Sequence, residues 1–179
     1  MEIGRLNNKV VKIENYQSTF ILLNMDHNLF RFDFVNKKEF NLQTGEHNKL
    51  QYFEKHALLI DYSENLITTF INSKPDNPEI FIKDIENAIN EVTLGWRSWK
   101  NYITENNFFT FETFKKNIAD GSGKLSYAPF SITQNILNVC NKHNVSITAF
   151  DNQLKRENFK LIIIGKSYLI AKDFKFHEQ

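Results

Sequence analysis

One cysteine, three prolines and six glycines in 179 residues exclude several kinds of protein at once. A lone Cys140 forms no internal disulfide and builds no cysteine-rich metal site. So little Gly and Pro argues against long flexible linkers and disordered tracts. An excess of charge is missing too: 22 basic side chains stand against 21 acidic ones, a formal net charge of +1. Nucleic-acid binders draw affinity from counterion release and carry a clear basic excess, so the balance weighs against a nucleic-acid partner. No stretch approaches the roughly 18 apolar residues that span a membrane. The first residues, MEIGRLNNKVVKIENYQ, lack the apolar run of a signal peptide. The expectation is a cytoplasmic protein without a membrane partner.

What is abundant is phenylalanine, seventeen residues within a hydrophobic share of 41%. A chain of this length buries a substantial core, and aromatic rings are expected to fill much of it. Length and the lack of a linker fit a single domain over 1–179. The wealth of Asn, Lys, Ile and Phe reads as the codon bias of an AT-rich genome, a bacterium or its phage.

The first 72 residues read as strands. Residues 9–13 are β-branched, 18–24 form a continuous apolar run, and 29–35 alternate, with Phe30, Phe32 and Phe34 on one face and Arg31 and Asp33 on the other. Turn chemistry at 24–28 joins the last two as a hairpin. Residues 39–53 read as a further hairpin about Thr44–Gly45, and 56–63 and 66–71 as two more strands of an antiparallel meander. Pro78, preceded by Asn77 or Asp76 as a cap, opens a helix. Its apolar stripe from Phe81 to Ile103 predicts one helix over 78–103, about 39 Å long. A second helix follows Thr110, with Phe111, Phe114 and Ile118 on one side. A third starts at Ser131, where Ser131 and Gln134 fit a reciprocal capping box. Strands return at 145–150, 158–164 and 167–176, the last two as a hairpin about Gly165–Lys166. Strands, helices, strands: the order predicts an α+β fold, a largely antiparallel sheet of N-terminal meander and C-terminal hairpin packed by one long and two shorter helices.

Residues 118–126, IADGSGKLS, look like a phosphate loop but are not one. The G-x-x-x-x-G-K-[ST] pattern would need glycine at Ile118 and a hydroxyl at Leu125. The stretch reads instead as a helix stop at Gly121 and a surface loop, with weak anion binding at Lys124 left open. Trp96, Arg97, Trp99 and Lys100 interleave aromatic and basic side chains. Trp96 and Trp99 lie on the stripe of Val92 and Ile103, so packing is one reading, with Arg97 and Lys100 a solvated helix face, and a protein-binding hot spot at the Trp end the other. His27, His47, His56, His143 and His177 show no metal-ligand spacing. His56 and Asp61 would fall on opposite faces of one strand, which argues against a direct His–Asp pair. Cys140 lies on an apolar helix face and reads as a small buried hydrophobe, and no G-x-S-x-G elbow occurs.

No catalytic, metal or cofactor signature emerges. The expected function is therefore a non-enzymatic protein-binding module, of the kind found in immunity or inhibitor proteins of bacteria or phage. Contact is expected at Trp96, Arg97, Trp99, Lys100, Lys124 and Tyr127, the Trp end of the long helix and the loop at 120–129. Homo-oligomerisation is left open. The alternative is an enzyme or nucleotide-binding regulator whose site gathers Asp61, Glu64 and Lys124.

Overall fold

The computed structural model describes residues 11–17, 19–25, 28–47, 49–105, 108–153 and 157–178. In chain order the elements are β1 (Val11–Tyr16), β2 (Phe20–Met25), β3 (Asn28–Asn41), β4 (Gly45–His47), β5 (Leu50–Phe53), a 3-10 turn (Ala57–Leu59), α1 (Ile60–Ser63), β6 (Leu66–Ile71), α2 (Pro78–Thr93), a 3-10 helix (Trp99–Tyr102), α3 (Phe111–Asp120), β7 (Gly123–Pro129), α4 (Phe130–Lys142), β8 (Ile147–Asp151), β9 (Lys160–Ile164) and β10 (Ser167–Glu178). The mixture is α+β. It forms two compact units, Met1–Tyr62 with Glu157–Gln179, and Ser63–Arg156.

The first unit is a seven-stranded sheet in the order β4-β1-β2-β3-β10-β9-β5, antiparallel throughout. The period of two decides its inner face. Ile21, Leu23 and Met25 alternate with half-buried neighbours on β2, and Phe30, Phe32 and Phe34 do so on β3. Register places Ile21 opposite Phe32 and Leu23 opposite Phe30. Phe176 of β10 stacks on Phe30 at 4.9 Å and meets Phe32 edge-on at 4.6 Å. The predicted polar face also forms: Arg31 Nε donates to Asp33 at 2.9 Å, and its guanidinium lies over the Phe20 ring. β4 and β5 sit at opposite ends of the strand order, yet only three Cα steps separate His47 from Leu50, about 11 Å at most. The sheet therefore curls, and the inward residues of its strands meet in one core.

The hairpin of β9 and β10 about Gly165–Lys166 forms as predicted, Ile164 pairing with Ser167. The predicted hairpin over 39–53 does not. β3 runs on to Asn41, β4 pairs with β1 and β5 with β9. Residues 56–63 are not a strand either. The His56 ring Nδ1 accepts from the Leu58 N–H at 3.2 Å and starts a 3-10 turn, and neighbouring Leu58 and Leu59 are both buried. A short apolar run has no period that separates a strand from a buried turn. Of the strand predicted at 9–13 and the turn at 24–28, residues 9, 10, 26 and 27 lie outside the described residues.

The second unit is a three-stranded antiparallel sheet, order β7-β6-β8, with the helices α2, α3 and α4. β6 is central. Ile67, Thr69 and Ile71 are buried, and Thr68 and Phe70 are half-buried on the opposite face. The Thr69 and Ser126 hydroxyls meet at 2.6 Å across β6 and β7, so two buried polar groups satisfy each other. Asn77 caps α2 as predicted, its Oδ1 accepting from the N–H groups of Glu79 and Ile80 at 3.1 Å, with Pro78 in the first turn.

The predicted helix over 78–103 is corrected. α2 ends at Thr93, where Leu94 (φ 51°) and Gly95 (φ 75°) both turn left-handed. The stripe survives because the 3-10 helix that follows carries Trp99 and Tyr102 back into the core, with Ile103 behind them. Thr110 caps α3, and Gly121 ends it at φ 69°. No other residue fits there, because a Cβ on Gly121 would lie 2.4 Å from the Lys74 nitrogen. The loop predicted beyond it is the strand β7, with Leu125, Ser126 and Ala128 fully buried. α4 does not use the predicted capping box. It starts at Phe130, and the Ser131 N–H donates to Glu64 Oε2 at 2.7 Å.

Candidate functional site

The predicted contact residues fall on three neighbouring segments of the second unit: the turn after α2, the 3-10 helix, and β7, against which that helix packs. The Trp96 N–H closes the turn on the Thr93 carbonyl at 3.0 Å. Trp96 and Arg97 are half-buried and Lys100 is exposed. Trp99 points inward. It is 9% exposed and meets Phe111 edge-on at 5.6 Å and Phe114 at 6.3 Å. Geometry makes it a support of the surface.

Above this support lies a set of rings and ammonium groups. Lys100 Nζ stands 4.8 Å from the centre of the Phe111 ring and Lys115 Nζ 5.2 Å from the same ring. Lys115 also pairs with Glu112 at 2.8 Å. Glu105 and Phe109 exchange backbone hydrogen bonds of 2.8 and 3.1 Å, and next to that bridge Phe108 is 88% exposed. Lys124 forms an ion pair with Glu105, and its Nζ is 5.2 Å from the rings of both Phe109 and Tyr127. The Lys124 backbone is fixed as well, its carbonyl accepting from Asn117 Nδ2 at 2.8 Å. Tyr127 is half-buried, opposite Thr68 of β6. The structure thus brings the two predicted clusters to one side of the unit, joined by the segment 104–111. Sequence reading passed over Glu105, Phe108 and Phe109. Their signal is Phe108–Phe109 directly after Asn106–Asn107, a residue type that favours turns.

Glu64 and Lys124 do not share a site. Glu64 precedes Leu66, which pairs with Pro129, and Lys124 pairs with Phe70. Four residues of strand part the two ends, about 13 Å. Glu64 is engaged at the start of α4, where a carboxylate suits the helix dipole. Asp61 lies on α1.

The described histidines hydrogen-bond or pair within the fold. His47 Nε2 donates to the Gln43 carbonyl at 3.0 Å, His177 lies 3.2 Å from Asp33, and His27 is outside the described residues. Burial holds the His56 imidazole below its ordinary value. His143 and Lys142 at the end of α4 both donate to Asp84 Oδ2 of α2 at 2.8 Å. Hydrogen bonds from Lys142 and then His143 hold the Asp84 carboxyl below its ordinary value. This clamp ties the two helices, and Asp84 lies far in sequence from the adjacent pair Lys142 and His143. Cys140 is 1% exposed, and burial pushes its thiol up to about 12. Among the described residues no group of three or more His, Cys, Asp or Glu is placed to hold a metal ion, and no helix is long and apolar enough to cross a membrane.

A shallow groove of 540 Å³ opens at one end of the small sheet, lined by Phe70, Asn72, Ser122, Gly123, Thr148 and Phe150. Phe70 and Phe150 meet edge-on there at 5.9 Å. Compared with family models, with curated proteins and with solved structures, the chain finds no match.

Proposed function

We propose that this chain is a non-enzymatic protein-binding module, of the immunity or inhibitor type, and that it engages another protein through the surface around Phe108. One observation supports this reading above the rest. Phe108 is 88% exposed, and Phe109, next to it in the chain, is buried with the Lys124 ammonium group 5.2 Å from its ring. A large exposed apolar ring with charged neighbours suits a binding anchor and its rim. Trp96, Arg97, Lys100, Lys124 and Tyr127 belong to the rim, and Trp99 acts from beneath.

The test is capture of a partner from the native host with the tagged chain, beside Phe108→Ala and Lys100→Ala. The expected result is one stoichiometric protein, lost in Phe108→Ala while that variant melts within about 0.5 kcal/mol of the parent. A partner kept by both variants, or no partner at all, overturns the proposal. A nucleotide or divalent metal that stabilises the chain by about 2.7 kcal/mol at a hundredfold excess over its Kd would replace it with the regulator reading.

A further inference from the structure

β8 is an edge strand, and among the described residues no strand pairs with its outer side. It pairs with β6, and Thr148, Ala149, Phe150 and Asp151 are all exposed, Phe150 at 55%. Its outward backbone groups can be identified. The Asn72 N–H donates to the Ser146 carbonyl at 2.8 Å and the Asn152 N–H to the Leu66 carbonyl at 3.1 Å. Between these two pairs the register runs without a shift from Ile71↔Ile147 to Ile67↔Asp151. Hydrogen-bonded pairs alternate along an antiparallel ladder. Thr148 and Phe150 therefore turn their N–H and C=O groups towards β6, and Ile147, Ala149 and Asp151 turn theirs outwards. Edges are ordinarily guarded by lysine, proline or a bulge. β8, with the sequence ITAFD, has none of these.

We propose that two copies of this chain associate by antiparallel pairing of β8 with β8 about a two-fold axis at Ala149. In this register the three outward residues meet one another: Ala149 faces Ala149 of the second copy, and Ile147 faces Asp151 in both directions. About six backbone hydrogen bonds form. Every other register leaves at least one of the three facing a residue outside the strand. Charge agrees with the choice. Asp151, the one charged side chain of β8, faces Ile147 of the second copy, so no carboxylate opposes a carboxylate. Aromatic packing agrees as well. Phe150 stands opposite Thr148 of the second copy, itself opposite Phe70 of that copy, so the edge-on pair of Phe70 and Phe150 extends across the joint. This complementarity of the edge to itself is what singles out a second copy over a foreign strand.

Sedimentation and light scattering across a concentration series provide the test. The expected species has twice the 21.1 kDa of the chain. Ala149→Pro removes the central outward N–H and leaves the bonds to β6 in place, as edge positions allow. It should weaken association at least about tenfold, with the melting temperature of the monomer unchanged. Ala149→Cys checks the register without a proline. Hydrogen-bonded partners lie about 5.5 Å apart at Cα, within disulfide range. Mild oxidation should give a covalent dimer from Ala149→Cys, and none from the parent, whose Cys140 is buried. A chain that stays at 21.1 kDa to the highest concentration reached overturns the proposal, as does association that survives Ala149→Pro with no cross-link at 149.

Discussion

Trp99 and Phe108 show at the residue scale how type and surroundings part. Tryptophan leads every list of binding hot spots, yet Trp99 spends its ring on Phe111 and Phe114 and is 9% exposed. Truncating such a side chain leaves a cavity. Trp99→Ala should cost about 3–5 kcal/mol in denaturant unfolding. A loss below about 1 kcal/mol would show that the ring is not part of the core. His56 carries the pH dependence at this scale. Its Nδ1 must be unprotonated to accept from Leu58, and burial lowers its pKa from the ordinary 6.5. A base with a lowered folded pKa leaves stability untouched above the unfolded value, because both states are neutral there. As pH falls below 6.5 the unfolded chain takes the proton first, and stability drops until the folded imidazole titrates too. Unfolding measured from about pH 7.5 to about pH 5 should slope less in His56→Gln than in the parent. Equal slopes would sink the assignment.

Elements show how far pattern carries. Asn77 before Pro78 and Thr110 before Phe111 are local signals, and both helices start where those residues place them. The stops differ. The stripe from Phe81 to Ile103 continues through a turn at Leu94 and Gly95 that an apolar period cannot register, because a 3-10 helix returns Trp99 and Tyr102 to the same core. Ser131 is the second lesson. Its spacing to Gln134 fits a capping box, but Glu64, sixty-seven positions away, takes the Ser131 N–H instead. The serine hydroxyl is left buried with no hydrogen-bond partner among the described residues. A buried hydroxyl without a partner costs its desolvation, so Ser131→Ala should raise stability by about 1 kcal/mol. A loss of that size in the same unfolding experiment would mean that the hydroxyl has a partner after all.

At the scale of the whole molecule, the second unit interrupts the first in sequence. Both sets of ends are adjacent. The Asn152 N–H reaches the Leu66 carbonyl at the base of the second unit, and the Tyr62 and Phe159 rings lie 5.3 Å apart in the first. Tyr62 is held further by its hydroxyl, which donates to Glu39 at 2.6 Å. Adjacent ends are what allow one unit to be inserted in another. Residues 63–156 expressed alone should therefore show a cooperative thermal transition and a dispersed amide spectrum. A fragment that stays unfolded would make the chain one cooperative domain. Composition gives no hint of this insertion. Neither seam carries a Pro- or Gly-rich linker, since a connection between adjacent ends needs none.

The strands from Phe20 to Met25 and from Asn28 to Phe34, the hairpin at Gly165–Lys166, the starts of α2 and α3 at Asn77 and Thr110, and the stop at Gly121 were legible in the chain. Each depends on residues that are neighbours in sequence, acting through alternation, capping or a left-handed turn. Tertiary structure decided the rest. Pairing of β4 with β1 and of β5 with β9 curls the large sheet, and no local signal encodes a strand partner that is not the next strand in the chain, as for Leu50 with Ile164. The same holds for the candidate site. Its aromatic and basic residues were visible from 96 to 127. Which ring faces water was settled by the bridge between Glu105 and Phe109, the ion pair of Glu105 with Lys124, and the inward packing of Trp99. Exposure is a property of what packs against a side chain, and packing partners are chosen by the fold.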